Sequence, residues 1–138
     1  MEPPFDHYRR LLTALMPLTV REVREVPLQG RSPAEVLRDE ANRLLPPLEG
    51  VRRVVALDVE GKRYTSLEFA AWLQRLIEGG DAAFLVGGSL GLDERVKTRA
   101  DELLSLSPLT MPHQLTRVVL AEQLFRALKI TRGERYHH

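Results

Sequence analysis

The stretch 82-AAFLVGGSLGL-92 decides the fold class, because an apolar run passes directly into glycines. Residues 82–86 have the composition of a short buried strand. Glycine lets the backbone approach a neighbour closely, and α/β proteins use such positions to bind ligands at the carboxyl edge of a parallel sheet. Gly87 and Gly88 are therefore candidate ligand-binding residues. Taken alone, glycines after a strand more often form a simple turn, so this signal needs support from the rest of the chain.

Helical and strand patterns alternate along the whole chain, which predicts a single α/β domain over residues 1–138, with a parallel sheet flanked by helices. A second buried strand is expected at residues 54–57, and residues 58–61 would form the loop after it. Further strands are expected at residues 18–26, which alternate in polarity, and at residues 104–106.

The helices are indicated by apolar spacing and by residues that are typical of helix ends. Ser32 and Thr65 each stand three residues before a glutamate, which is the pattern of a capping box. Helices are expected around residues 5–15, 33–45, 66–78, 93–103 and 115–130.

Composition indicates an ordinary folded protein of 138 residues, with 43% hydrophobic and 28% charged residues. Neither an apolar run of membrane-spanning length nor a secretion signal is present, so we expect a cytoplasmic protein with no membrane partner. The absence of cysteine and the scatter of four histidines predict no metal site. A net charge of +1 is too small for binding naked RNA by phosphate neutralisation alone.

A second loop, 105-SLSPLTMPH-113, contains two prolines that remove backbone donors and stiffen the segment. The backbone groups that remain between Pro108 and Pro112 can then be held ready for a flat, polar ligand edge. The last part of the chain carries 122-EQLFRA-127 and then Tyr136 and His137.

Together with Leu57-Asp58, Gly61-Lys62 and Arg117, these segments occur in an order that resembles the ribosomal large-subunit pseudouridine methyltransferase family (RlmH), a branch of the knotted SPOUT methyltransferases. The resemblance implies transfer of a methyl group from S-adenosylmethionine to ring nitrogen 3 of a pseudouridine in large-subunit ribosomal RNA. It also implies a homodimer that acts on the assembled ribosome, and a C-terminal trefoil knot. The family usually begins with a hydrophobic strand, and this sequence has none ahead of Phe5.

The resemblance also assigns roles to individual positions. The residues it places against the cofactor are Leu57, Gly87, Gly88, Ser107, Pro108, Leu109, Thr110, Met111 and Pro112. The candidates for catalysis and for recognition of the acceptor base are His113, Arg126, Tyr136 and His137.

Several of these candidates have a structural alternative. His113 could accept the proton of the target imide, or cap the helix that follows it. Arg126 could contact phosphate or a pyrimidine carbonyl, or form a salt bridge with Glu122 one turn back. Tyr136 could stack on an everted base, or pack a loose chain end. His137 lies near the chain end, where disorder is common.

Other interpretations fit the sequence less well. The glycines of residues 87–91 lack the G-x-G-x-x-G spacing of a dinucleotide site, and Lys97 lies too far along for a phosphate-binding P-loop. Trp72 is expected in the core or in a dimer interface rather than in base stacking. Arg117 belongs to the matching set, and its alternative is a side chain that only faces solvent. Two other functions remain open, a non-catalytic ribosome-binding module of the same fold and a methyltransferase of transfer RNA.

Overall fold

The computed structural model describes residues 2–23 and 26–134. Helices and strands alternate along most of this part of the chain. The helices are α1 Pro4–Thr13, α2 Pro33–Leu44, α3 Ser66–Glu78, α4 Glu94–Arg99 and α5 His113–Thr131, with a 3-10 turn at Pro46–Leu48, and the strands are β1 Arg53–Lys62, β2 Ala82–Leu85 and β3 Glu102–Leu104.

The three strands form a parallel sheet in the order β2-β1-β3. On one side of β1, Ala56 pairs with Leu85, and on the other side Leu57 pairs with Leu104. Because the strands point the same way, the segments that follow them begin at the same edge of the sheet. This parallel sheet with flanking helices confirms the predicted α/β class.

Alternate residues of β1 face opposite layers of helices. Val55 packs with side chains of α1, α3 and α5, in a core that includes Leu104 and Phe125. Val54 and Ala56 pack on the other face with side chains of α2 and α4. The sheet therefore lies between two helical layers, and its loops are the parts left open at the carboxyl edge.

Polar side chains fix the points where α2, α3 and α4 begin. Ser32 accepts the backbone N–H of Glu35 at 3.2 Å. Thr65 accepts the N–H of Glu68 at 3.2 Å, and Glu68 in return accepts the N–H of Thr65 at 2.8 Å, so the predicted capping box is complete. At α4, Asp93 accepts the N–H of Arg95 at 2.8 Å. Each such cap stabilises a helix by about 1 kcal/mol. Because a cap involves residues only three positions apart, the starts of α2 and α3 could be predicted from the sequence.

The described part of residues 18–26 does not form the predicted strand. Residues 18–23 and Val26 lie outside every helix and strand, while Arg24 and Glu25 fall outside the described residues. Leu18 is half-buried against the core beneath α1 and α5, so the apolar positions do face inward. The alternating pattern predicted burial correctly, but a strand also needs a partner, and among the described residues the sheet offers this segment none.

The predicted loop at residues 58–61 is part of β1, at a register shift between Leu57 and Lys62. An ideal β-carbon on Gly61 would lie 2.6 Å from the backbone carbon of Leu103, so this irregular stretch packs directly on β3. Glycine at position 61 therefore permits the close approach of two backbones, which sequence alone interpreted as a loop.

The helix predicted at residues 93–103 ends early, at Arg99. Asp101 is the reason, because its N–H donates to the carbonyl of Val54 at 2.8 Å and its carboxylate accepts the N–H of Val54 at 2.7 Å. This pairing pulls the chain onto the sheet, and the strand expected at residues 104–106 forms instead at Glu102–Leu104.

A partly buried polar contact ties β3 to α3. The carboxylate of Glu102 accepts the hydroxyl of Tyr64 at 2.7 Å and the indole N–H of Trp72 at 2.9 Å. Trp72 is 8% exposed and stacks on Phe69 at a centroid distance of 5.3 Å, so it lies in the core of the chain as expected. Burial, and secondly the hydrogen bond to Glu102, raise the pKa of Tyr64 to about 12.

Candidate functional site

The register of the sheet places three predicted site segments next to each other. Leu57 is level with Leu104 on one side and, one residue beyond the pair of Ala56 and Leu85, with Val86 on the other. Neighbouring strands lie about 4.8 Å apart, so the segments after β2 and β3 begin roughly 10 Å from each other, with Leu57 between them. A small ligand at this edge would reach all three.

The chain after β2 folds into a tight turn over residues 87–91. The carbonyl of Gly88 accepts the N–H of Gly91 at 3.1 Å, and Gly91 has a φ of +85°, in the left-handed region that suits glycine. An ideal β-carbon on Gly87 would lie 2.6 Å from the carbonyl oxygen of Gly91. Only glycine fits at position 87, and we call residues 87–91 the glycine turn.

The segment after β3 is held at its start by two serine hydroxyls. Ser105 is 4% exposed and donates to the carbonyl oxygen of Ser107 at 3.0 Å, and the hydroxyl oxygen of Ser107 accepts the N–H of Leu109 at 3.0 Å. Beyond these anchors Pro108, Leu109, Thr110 and Pro112 are exposed, and Met111 is half-buried. The loop is therefore fixed at its base and open to solvent along its length, which suits ligand binding.

Asp58 lies at this edge, and the resemblance included it without assigning it a role. Its side chain is 17% exposed, and one carboxylate oxygen lies 3.4 Å from the Nζ atom of Lys97 on α4. The other oxygen accepts the N–H of Glu60 at 3.4 Å. The ion pair joins the central strand to α4, next to Leu57. An acidic residue directly after an apolar strand was the sequence signal that pointed to it.

Glu40 is a residue that sequence reasoning missed. It lies on α2, and one of its carboxylate oxygens is 2.8 Å from the position that a β-carbon on Gly88 would occupy. Glu40 borders a groove of about 340 Å³, which is lined by Val26, Pro27, Leu28, Val36, Glu40, Ser89 and Leu90. Its spacing of four residues from the buried Val36 was the sequence signal that it faces inward.

Helix α5 separates the predicted acceptor-side residues. His113 is its first residue, directly after the loop, and the N-cap position belongs to Pro112, which makes no side-chain cap. His113 is thus not the N-cap residue that one alternative made it. Arg126 lies thirteen residues further on, roughly 20 Å along the helix axis. Its guanidinium donates to Glu122 at 3.0 Å and 2.5 Å, so the salt-bridge alternative is present in the structure.

A family model described as "Predicted SPOUT methyltransferase" matches residues 1–137. This chain belongs to the SPOUT methyltransferase family. Several relatives bear the name "Ribosomal RNA large subunit methyltransferase H". The protein of Rubrobacter xylanophilus is 48% identical, over an alignment that covers 96% of this chain and 86% of that protein. Those of Listeria welshimeri and Cupriavidus taiwanensis are 44% and 42% identical, covering 94% and 99% of this chain and 86% and 89% of the relatives. The family resemblance inferred from the sequence is confirmed.

Other predicted positions of this SPOUT methyltransferase are placed as follows. Tyr136 and His137 lie outside the described residues. Arg117 does not simply face solvent: its guanidinium lies 4.0 Å from the ring centroid of Phe5 and donates to Glu22 at 2.6 Å. Within residues 2–23 and 26–134 there is no cluster of three potential metal ligands. No helix in the same part of the chain has the length and apolarity needed to cross a membrane.

Proposed function

We propose that this chain is an S-adenosylmethionine-dependent methyltransferase that acts on ring nitrogen 3 of a pseudouridine in large-subunit ribosomal RNA. The relatives named as large-subunit ribosomal RNA methyltransferases align with 94% or more of its length. The structural observation that carries the proposal is the glycine turn, where position 87 has no room for a side chain and the adjoining strand end is level with Leu57.

The methyl donor would lie across the three segments at the carboxyl edge of the sheet. Its proposed contacts are Leu57, Gly87, Gly88 and residues 107–112. Backbone that carries no side chain can approach a flat adenine or a ribose closely, and the serine-anchored loop presents further backbone groups opposite. A sulfonium donor already supplies an activated methyl group, so the protein must mainly align the acceptor and exclude water.

The acceptor nitrogen belongs to an imide that is largely protonated at neutral pH, so transfer requires a proton acceptor or a group that stabilises the developing charge. His113 is the proposed proton acceptor, because it follows Pro112 directly at the end of the proposed donor-binding loop. Arg126 is the proposed contact to the acceptor nucleotide, and it keeps Glu122 as its partner when RNA is absent. Tyr136 and His137 stay candidates for stacking and proton transfer.

The separation of these residues supports a homodimer. His113 and Arg126 lie roughly 20 Å apart along the axis of one helix, which is too far for both to touch the same base within one chain. A two-fold pair of chains can bring Arg126 of one protomer to His113 of its partner. We therefore propose that each acceptor site is shared between two protomers.

Calorimetric titration with S-adenosylmethionine and S-adenosylhomocysteine tests the donor site directly. Transfer of labelled methyl groups is then compared for ribosomes that lack the modification, naked ribosomal RNA and transfer RNA. We expect micromolar donor binding and transfer to ribosomes alone. Absence of donor binding would favour a non-catalytic ribosome-binding module, and preferential labelling of transfer RNA would show that the acceptor is misassigned.

A further inference from the structure

The carboxylate of Glu40 lies close to the glycine turn at Gly88, and the predicted donor contacts do not include Glu40. An ideal β-carbon on Gly88 would lie 2.8 Å from one carboxylate oxygen of Glu40 and 3.6 Å from its carboxyl carbon. The absence of a side chain at position 88 is thus what allows a carboxylate of α2 to reach the backbone of the turn. This approach also gives Gly88 a purpose that a simple turn would not need.

The groove beside this contact has the size and polarity of a small-ligand subsite. Its volume of about 340 Å³ falls within the range of small-molecule sites. Among its described lining residues Glu40 is the ionisable one, and the walls are otherwise Ser89 and apolar side chains such as Val36 and Leu90. A carboxylate between apolar walls attracts a cation more strongly than a carboxylate in open water does.

The groove is also continuous with the proposed donor site. Ser89 and Leu90 belong to both the groove lining and the glycine turn. A ligand that lies on Gly87 and Gly88 can therefore extend toward Glu40 without crossing the protein interior. S-adenosylmethionine carries a positively charged ammonium group at the end of its amino-acid portion, which is the kind of group that this carboxylate would bind.

We propose that Glu40 binds the α-ammonium group of the methyl donor and so orients its amino-acid portion along the groove. This inference rests on the proposed function and adds a residue to its donor site. The test substitutes Glu40→Gln, which keeps the shape and one acceptor oxygen but removes the charge. Glu49→Gln is the matched control, because Glu49 is exposed and lies outside the groove.

Titration calorimetry with two ligands isolates the contribution of the amino-acid portion. S-adenosylhomocysteine contains it, whereas 5′-deoxy-5′-methylthioadenosine has the same nucleoside and no amino-acid portion. For Glu40→Gln we expect the affinity for S-adenosylhomocysteine to fall about tenfold or more, as for loss of a charge-assisted hydrogen bond, with no change for methylthioadenosine. Glu49→Gln should bind both ligands as the unsubstituted protein does.

Each other outcome overturns a defined claim. An unchanged affinity of Glu40→Gln for S-adenosylhomocysteine would overturn the role of Glu40 while leaving the methyltransferase assignment intact. Equal losses for both ligands would show that Glu40 acts on the nucleoside or on the turn instead. If the unsubstituted protein bound neither ligand, the proposed function itself would fail. Thermal unfolding of each variant shows whether a loss of affinity reflects a loss of folded protein.

Discussion

Gly87 and Gly88 are neighbours, yet a side chain at each would meet a different obstacle. At Gly87 the nearest atoms are the carbonyl oxygen of Gly91 at 2.6 Å and the side chain of Leu92 at 2.8 Å, whereas at Gly88 the nearest is the carboxylate of Glu40 at 2.8 Å. We therefore expect Gly87→Ala to destabilise the fold by about 1–3 kcal/mol, as overpacking does. Gly88→Val should stay folded and lose donor binding. Urea unfolding measures the stability of the two variants, and calorimetry measures their donor affinity. Undiminished donor affinity in Gly88→Val would contradict the proposed donor site.

Tyr64 gives the stability of the protein a dependence on alkaline pH. Its pKa is raised from 10.0 to about 12, first by burial and then by the hydrogen bond to Glu102. Between those two values the unfolded chain has released this proton and the folded chain still holds it, so stability falls as pH rises from about 10 to about 12. Tyr64→Phe should be less stable at pH 8 and should lose less stability above pH 10. Urea unfolding of the unsubstituted protein and of Tyr64→Phe, at pH 8 and above pH 10, tests this prediction. Parallel pH profiles of the two proteins would count against the contact between Tyr64 and Glu102.

The elements show which parts of this fold a sequence can specify. The start of a helix depends on residues three positions apart, so the start of α3 could be predicted from Thr65 and Glu68. The end of α4 depends instead on Asp101 pairing with Val54, and no local pattern contains that contact. The prediction of a strand at residues 18–26 was wrong for the same reason, since strand pairing is decided by the rest of the sheet.

The candidate site divides in the same way between local and distant information. Gly87, Gly88 and the serine-anchored loop follow strands directly, so their place at the sheet edge could be predicted from sequence. The approach of Glu40 to Gly88 joins two segments that are far apart in the chain and became visible only in the folded structure. The assignment of individual residues to donor or acceptor stays a prediction.

Arg117 connects α5 to α1 and to the segment before α2. It lies over the ring of Phe5 at 4.0 Å and pairs with Glu22 at 2.6 Å, and its side chain is 22% exposed. We expect Arg117→Ala to lower the free energy of unfolding by about 1 kcal/mol, since a partly exposed cation–π contact and a surface ion pair each contribute less than that. Donor affinity should be unchanged. Arg132→Ala, at an exposed position, is the control, and an Arg117→Ala protein of full stability with impaired methyl transfer would instead place Arg117 at the RNA.

At the scale of the whole molecule, the shared acceptor site makes a quantitative prediction. Size exclusion with light scattering should give a particle of twice 15.7 kDa, and a stable monomer would contradict the model. His113→Ala and Arg126→Ala should each lose most methyl transfer to ribosomes. When the two variants are coexpressed, a mixed dimer has one site with both substitutions and one with neither. Random pairing makes half of the dimers mixed, so about a quarter of the original activity should return. If His113 and Arg126 served a site within one chain, every site would carry a substitution, and coexpression would restore nothing.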